Sequence, residues 1–250
     1  MPANKKVHFV GIGGIGMSAL ARWFRAQGYE VTGSDLSPSS TTRELSAEGI
    51  SVKIGQHRGK NMPKDAGRVI YNNAIRENNP ELLSAKRMKI AIASYPQSLG
   101  ELTKLYKTIA ISGAHGKSTT TAMVSLILKK ARFDPTVIIG TKLAEFGGKN
   151  FVEGKSEYLV IEADEWKAAF LNYFPYAALV TNIDREHLDF YKNLSNVKRT
   201  FVQFLQNIHP YGLAVLNRDD KNIYAIRKRI KRPIVWYSLN SKEAGAVKKV

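Results

Sequence analysis

Cysteine is absent from the 250 residues. That excludes a disulfide framework and a thiolate metal site and agrees with a cytoplasmic, reducing setting. No apolar run is long enough to span a bilayer, so a membrane-embedded protein is not expected. Repeats and low-complexity stretches are missing as well. The opening residues, MPANKKVHFVGIGGIGMSALA, set two lysines before an apolar stretch, as a signal peptide does. Glycines punctuate that stretch, however, and it continues into an amphipathic pattern through Leu20, Trp23 and Phe24, which reads as strand, turn and helix.

Negative charge is in short supply. Against 38 Lys+Arg stand 21 Asp+Glu, a formal charge of +17. A chain this basic invites an anionic partner. The excess is spread along the sequence with one dense run, residues 227–232, which reads as a solvated helix end before a strand at 233–237. No nucleic-acid-binding motif accompanies it, so nucleic acid is not expected as a partner. With 44% hydrophobic and 24% charged residues, the composition is that of a globular chain with room for one large or two modest domains.

Strand and helix patterns alternate from the start. Strands are expected at 6–10, 29–32, 51–54, 68–71 and 89–92, with helices at 15–27, 41–48, 80–86 and 96–106. The pattern restarts with a strand at 108–111, a glycine loop, and a helix at 117–130. Strands at 158–161, 177–180 and 212–216 follow, with a helix at 196–207. This alternation implies parallel sheets covered by helices. The fold class is therefore α/β, with a Rossmann-like domain over residues 1–105 and a P-loop domain over 106–250. Residues 241–250 show no terminal element, so the second domain reads as incomplete.

Gly11-Ile12-Gly13-Gly14-Ile15-Gly16 satisfies G-x-G-x-x-G between a strand and a helix. Glycines there let backbone N–H groups and the helix N-terminus approach a pyrophosphate. Asp35 closes the second strand, where a dinucleotide fold places a carboxylate on a ribose hydroxyl. NAD and a UDP-sugar share the pyrophosphate and ribose, so this motif alone admits both.

The second loop, Ser112-Gly113-Ala114-His115-Gly116-Lys117-Ser118-Thr119, is more specific. Backbone amides and the Lys117 ammonium suit the β- and γ-phosphates of ATP, and the Ser118 hydroxyl suits Mg²⁺. It is two residues shorter than G-x-x-x-x-G-K-[ST], because position 111 is Ile and the upstream glycine is Gly113. Two further segments bring metal-ligating groups to strand ends: Glu162-Ala163-Asp164-Glu165 and Thr181-Asn182-Ile183-Asp184-Arg185-Glu186-His187-Leu188-Asp189. Carboxylate and imidazole at neighbouring strand ends suit one or two Mg²⁺ between phosphates and an attacking oxygen.

On these residues the chain resembles the Mur ligase family. The resemblance rests on the run from His8 to Ala21, Gly33-Ser34-Asp35, His57-x-x-x-Asn61, Gly113–Ser118, the acidic segment from Glu162 and the run from Asn182 to Asp189. It implies UDP-N-acetylmuramate on Gly11, Gly13, Gly14, Ile15, Gly16, Met17, Ser18, Asp35, Asn73 and Ala74. ATP would lie on Gly113, Ala114, His115, Gly116, Lys117, Ser118 and Thr119, and Mg²⁺ on Ser118, Glu162 and His187. Lys117, Glu162 and His187 would carry the catalysis. The implied reaction is phosphoryl transfer to the muramate carboxylate, followed by attack of L-alanine on the acyl phosphate. The resemblance also implies a third domain beyond this chain. Three other readings remain open from the residues: a murein-peptide ligase of the same family, an NAD-dependent oxidoreductase built on the first loop, and a non-catalytic nucleotide- or nucleic-acid-binding module.

Overall fold

The computed structural model describes residues 5–239 and divides into two compact units. One comprises residues up to 98 together with 140–153, and the other 99–139 together with residues from 154 onward. The single cut at 105/106 read from the sequence follows a different line, because the segment 140–153 returns to the first unit. Residues 241–250, read as an abrupt end, lie outside the described residues.

The first unit is built on a five-stranded parallel sheet. Its elements are β1 (Lys6–Val10), α1 (Ile15–Ala26), β2 (Glu30–Asp35), α2 (Ser40–Ala47), β3 (Ser51–Ile54), β4 (Arg68–Tyr71), α3 (Pro80–Arg87) and β5 (Ala91–Ser94). The strand order is β3-β2-β1-β4-β5, with every pair parallel. The order reverses between β1 and β4, so the crevice beyond their carboxyl ends is the switch point where such sheets bind ligands. Helix starts follow local chemistry. Ser39 and Thr42 form a reciprocal capping box at α2, and Asn79 caps α3 with Pro80 in its first turn.

Helix α1 is buried nearly all round, from Met17 to Phe24. One face packs on the sheet, where Phe24 makes edge contacts with Phe9 and Tyr29 at centroid distances of 5.9 and 5.1 Å. The other is covered by residues 140–153, which sequence periodicity did not reveal. Arg22, 5% exposed, is held there by Asn150 Oδ1 at 2.6 Å and by Glu48 at 2.8 and 3.1 Å. Of the two arginines of α1, Arg22 is buried and Arg25 exposed, and the buried charge requires such partners.

The chain continues through α4 (Tyr95–Thr103), β6 (Lys107–Ser112), α5 (Lys117–Lys130), β7 (Thr136–Leu143), β8 (Lys149–Val152), β9 (Tyr158–Glu162) and β10 (Ala177–Val180). It ends with α6 (Leu188–Tyr191), α7 (Leu194–Gln206), β11 (Leu213–Asn217), α8 (Lys221–Ile226) and β12 (Ile234–Tyr237). The second sheet has the order β12-β11-β10-β6-β9-β7-β8. The pairs β10–β11, β10–β6, β11–β12, β6–β9 and β7–β9 are parallel. The central strands β6, β9 and β10 carry the buried runs Ala110-Ile111, Leu159-Val160-Ile161 and Ala178 with Val180, as a sheet covered on both faces requires. Helix α7 packs Phe201 and Phe204 against Phe170, the latter pair stacked at 4.6 Å. The basic run forms a short 3-10 turn, Arg227–Arg229, leading to β12, as its pattern suggested.

The first unit also buries a charge. Glu81, 0% exposed, accepts hydrogen bonds from His8 Nε2 at 2.9 Å, His57 Nδ1 at 2.8 Å, Ser34 Oγ at 2.8 Å and Asn61 Nδ2 at 3.2 Å. Burial pushes its carboxyl upward, but the bonds from His8, His57 and Ser34 outweigh that and hold it at about 2. Its folded value lies below the ordinary 4.5. The stability it contributes is therefore complete above that ordinary value and is lost as pH falls from about 4.5 to about 2, an amount on the order of a few kcal/mol. A Glu81→Gln chain is expected to lose this part of the acid limb in thermal melts between those pH values; an unchanged acid limb would refute the network's role.

Candidate functional site

The first candidate site lies at the carboxyl ends of β1, β2 and β4. The chain leaves β1 through Gly11, and the N–H groups of Gly11 and Ile12 donate to Ser34 O at 2.8 and 3.0 Å, which ties the loop to β2. Asp35 sits at the end of β2, and its Oδ2 accepts from Gly13 N–H at 2.8 Å. The first-loop glycines are required by space. A β-carbon on Gly14 would lie 2.5 Å from Asn72 Nδ2, and one on Gly16 2.5 Å from the Tyr95 ring. Asn72 in turn shapes the loop after β4, its Oδ1 accepting from Ala74 N–H at 3.0 Å. The switch-point crevice is thus lined by Gly11–Gly16, Asp35 and the turn holding Asn73 and Ala74.

The side chains of two expected residues are buried. Met17 and Ser18 are 1% and 0% exposed. Ser18 Oγ donates to Ile15 O at 2.9 Å and receives Asn150 Nδ2 at 3.0 Å, so both side chains belong to the core beneath the loop. Ile15, by contrast, is 39% exposed at the start of α1. His57, which with Asn61 carries part of the family resemblance, lies against Ser34 and Glu81. It follows β3, whose neighbour Gly55 donates its N–H to Asp35 O at 2.9 Å. Its Nδ1 is committed to Glu81, while its Nε2 is buried with no hydrogen-bond partner among the described residues.

The second candidate site lies at the carboxyl ends of β6, β9 and β10. After Ser112 the chain turns at Gly113, with φ +139°, into the loop that opens α5 at Gly116. A β-carbon on Gly113 would stand 2.0 Å from Thr181 Oγ1. The loop is clasped from β10: Asn182 O accepts from Ala114 N–H at 3.2 Å, Asn182 Oδ1 from His115 N–H at 2.9 Å, and Thr181 Oγ1 donates to His115 O at 2.7 Å. That clasp explains how a loop two residues short of the common pattern still holds its shape.

Inside the curve lies Lys117. Its Nζ donates to Gly113 O at 2.7 Å and Ala114 O at 3.2 Å, and stands 3.1 and 3.0 Å from the two oxygens of Glu165. Glu165 is 1% exposed; burial raises its carboxyl above the ordinary value although Lys117 pulls the other way. Tyr191 O–H donates to the Glu165 carbonyl, and burial pushes this phenol up to about 12. Ser118 Oγ donates to Glu162 Oε1 at 3.1 Å.

The structure therefore brings Ser118 and Glu162 together but sets His187 with a different carboxylate. His187 Nε2 lies 3.7 Å from Glu165 Oε1. Asp164, Glu165 and His187 offer atoms all within 4.8 Å of one another. Thr119 is exposed on the first turn of α5, and His115 faces Asp184 at 3.6 Å and Glu186 at 3.8 Å. Glu165, Asp164, Thr181 and Asn182 went unassigned in the sequence. The acidic segment was visible there, but its spacing does not say which of its carboxylates reaches Lys117.

Comparison with known proteins agrees with this geometry. Residues 6–107 match the "Mur ligase family, catalytic domain" and residues 111–250 the "Mur ligase middle domain". The chain is 45% identical over 237 residues to UDP-N-acetylmuramate–L-alanine ligase of Aquifex aeolicus, covering 95% of this chain and 52% of the relative. It is 42% identical over 244 residues to the enzyme of that name from Clostridium novyi, covering 97% and 53%. The chain thus spans about half the length of the curated relatives it matches. Among solved structures, UDP-N-acetylmuramate-alanine ligase from Thermotoga maritima superposes with TM-score 0.82 at 30% identity, covering 94% of this chain and 53% of that one. A UDP-N-acetylmuramate:L-alanyl-gamma-D-glutamyl-meso-diaminopimelate ligase from Neisseria meningitides gives TM-score 0.85 at 25% identity, covering 94% and 78%. Two family matches that together run nearly the length of the chain, on an architecture that sets both glycine loops at strand ends, establish that this chain belongs to the Mur ligase family.

Proposed function

We propose that this chain is the UDP-sugar-binding and ATP-binding part of a cytoplasmic ligase that joins L-alanine to UDP-N-acetylmuramate. The observation that carries the reading is Lys117. Its ammonium is curled inside a glycine loop at a strand end, with Glu165 and two loop carbonyls as its partners. A γ-phosphate entering that curve would compete with Glu165 for the same charge.

In this reading the first loop, Asp35 and the Asn73–Ala74 turn hold the UDP-sugar, and His57 Nε2 offers one further polar contact. The γ-phosphoryl of ATP passes to an oxygen of the lactyl carboxylate: the bond to ADP breaks and an acyl phosphate forms. The alanine amine then attacks the carbonyl carbon, the bond to phosphate breaks, and the nitrogen gives up a proton. Activation is needed because a carboxylate oxygen is a poor leaving group. Lys117 offsets the charge that gathers as two anions meet.

The donor set fits Mg²⁺, a hard cation that prefers oxygen ligands. Ser118 Oγ and Glu162 would hold one ion, and His187 with Asp164 and Glu165 a second. Held there, Mg²⁺ would supply positive charge that offsets the phosphates.

Calorimetric titration of variants tests this reading. Lys117→Ala is expected to weaken ATP·Mg²⁺ binding by about tenfold or more, the scale of a lost charge-assisted bond, and to leave UDP-N-acetylmuramate affinity unchanged. Asp35→Ala should do the reverse. Equal loss of both ligands in either variant would count against two separate sites.

Gly113→Ala is expected to lower stability by about 1–3 kcal/mol through backbone strain alone and to weaken ATP binding. Adding Thr181→Ala removes the nearest clashing atom and should recover part of the melting temperature; a single variant that melts like the parent would show that the close approach is not required.

A further inference from the structure

The second unit holds a cavity at the opposite end of its sheet from the phosphate loop. About 570 Å³ in volume, it opens where β6, β10, β11 and β12 begin. β6 runs from Lys107 at this end to Ser112 at the loop, so roughly 17 Å of strand separate the two places. No residue of the phosphate loop lines the cavity.

Its walls are aromatic and cationic. Tyr176 and His209 stack, with centroids 5.6 Å apart and planes at 28°. Phe174, 41% exposed, carries Lys104 Nζ 4.2 Å above its ring centroid. Arg232 is anchored by its Nε–H to Ile208 O at 2.9 Å, which fixes the guanidinium stem on the wall. Lys107 adds a third cation, with Glu157 beside it at 2.8 Å. Among the described residues, no carboxylate lines the cavity.

The frame beneath these rings is fixed by backbone bonds. Tyr176 N–H donates to Thr108 O at 2.7 Å, His209 N–H to Pro175 O at 2.9 Å and Phe174 N–H to Thr103 Oγ1 at 3.0 Å. The aromatic faces therefore stay in place without a ligand to order them, which lowers the entropy cost of binding. Flat apolar faces select a planar ring. Lys104 and Arg232, on a cavity without a lining acid, select negative charge. The basic run that ends at Arg232, which the ligase reading leaves unused, supplies one of them.

We propose that this cavity is a further small-molecule site, taking an oxyanion that carries a planar ring. The ring lies against Phe174 and the Tyr176–His209 pair, and the anionic group meets Lys104 and Arg232. The site is independent of both glycine loops and does not rest on the ligase reading.

Phenyl phosphate is the probe, titrated into ¹⁵N-labelled chain with amide shifts as the readout. Shifts are expected at residues 174–176 and 206–210 and should persist in Lys117→Ala. Benzyl alcohol, which keeps the ring and lacks the charge, should bind about tenfold more weakly, as should phenyl phosphate to Lys104→Ala. Lys104 is exposed, so this variant keeps the fold; Arg232→Gln, checked by its melting temperature, should show the same loss. Shifts confined to residues 11–16 or 113–118, equal affinity for benzyl alcohol, or unaltered affinity in Lys104→Ala would each overturn the proposal.

Discussion

The backbone at each strand-to-helix turn runs closer to its neighbours than a β-carbon permits, and both candidate sites depend on that closeness. At Gly16 the intruding atom would meet the Tyr95 ring, and at Gly113 the Thr181 hydroxyl. Parallel strands make this geometry useful. Every strand delivers its carboxyl end to the same edge of its sheet, so the loop after one strand, a carboxylate after the next and a turn after a third converge without long connections. Asp35 on Gly13, and Asn182 on Ala114 and His115, are two instances of one arrangement.

Buried charge is handled in two opposite ways. Glu81 has four donors around it and stays ionised down to about pH 2, a fixed brace under the first loop. Glu165 faces chiefly one cation, and burial outweighs it, so its carboxyl is raised. A carboxylate so placed depends on the one ammonium it holds, because losing that partner would leave a buried charge uncompensated. The number of hydrogen-bond donors, rather than burial itself, decides which behaviour results.

Much of this was legible in the sequence. The parallel α/β class, both glycine loops, Lys117 and Asp35 at the end of β2 follow from period, spacing and strand-end position, and the pairing of Ser118 with Glu162 from the family resemblance. Three things were not. The cover over α1 was hidden because residues 140–153 carry no strong period of their own and act through a tertiary contact with Arg22 and Ser18. Met17 and Ser18 were assigned to the ligand on the family resemblance; helical geometry turns their side chains inward. The partners of Glu165 and His57 were hidden. The acidic segment offers three carboxylates, and spacing does not say which meets Lys117. His57 was read without its buried partner Glu81, which lies far along the chain.

The central claim is that the first loop serves a nucleotide-sugar precursor rather than a dinucleotide, and separate calorimetric titrations of the chain with UDP-N-acetylmuramate and with NAD test it most directly. The account predicts saturable binding of the UDP-sugar and none of NAD. Binding of NAD with no response to the UDP-sugar would contradict it and return the loop and Asp35 to a dehydrogenase role.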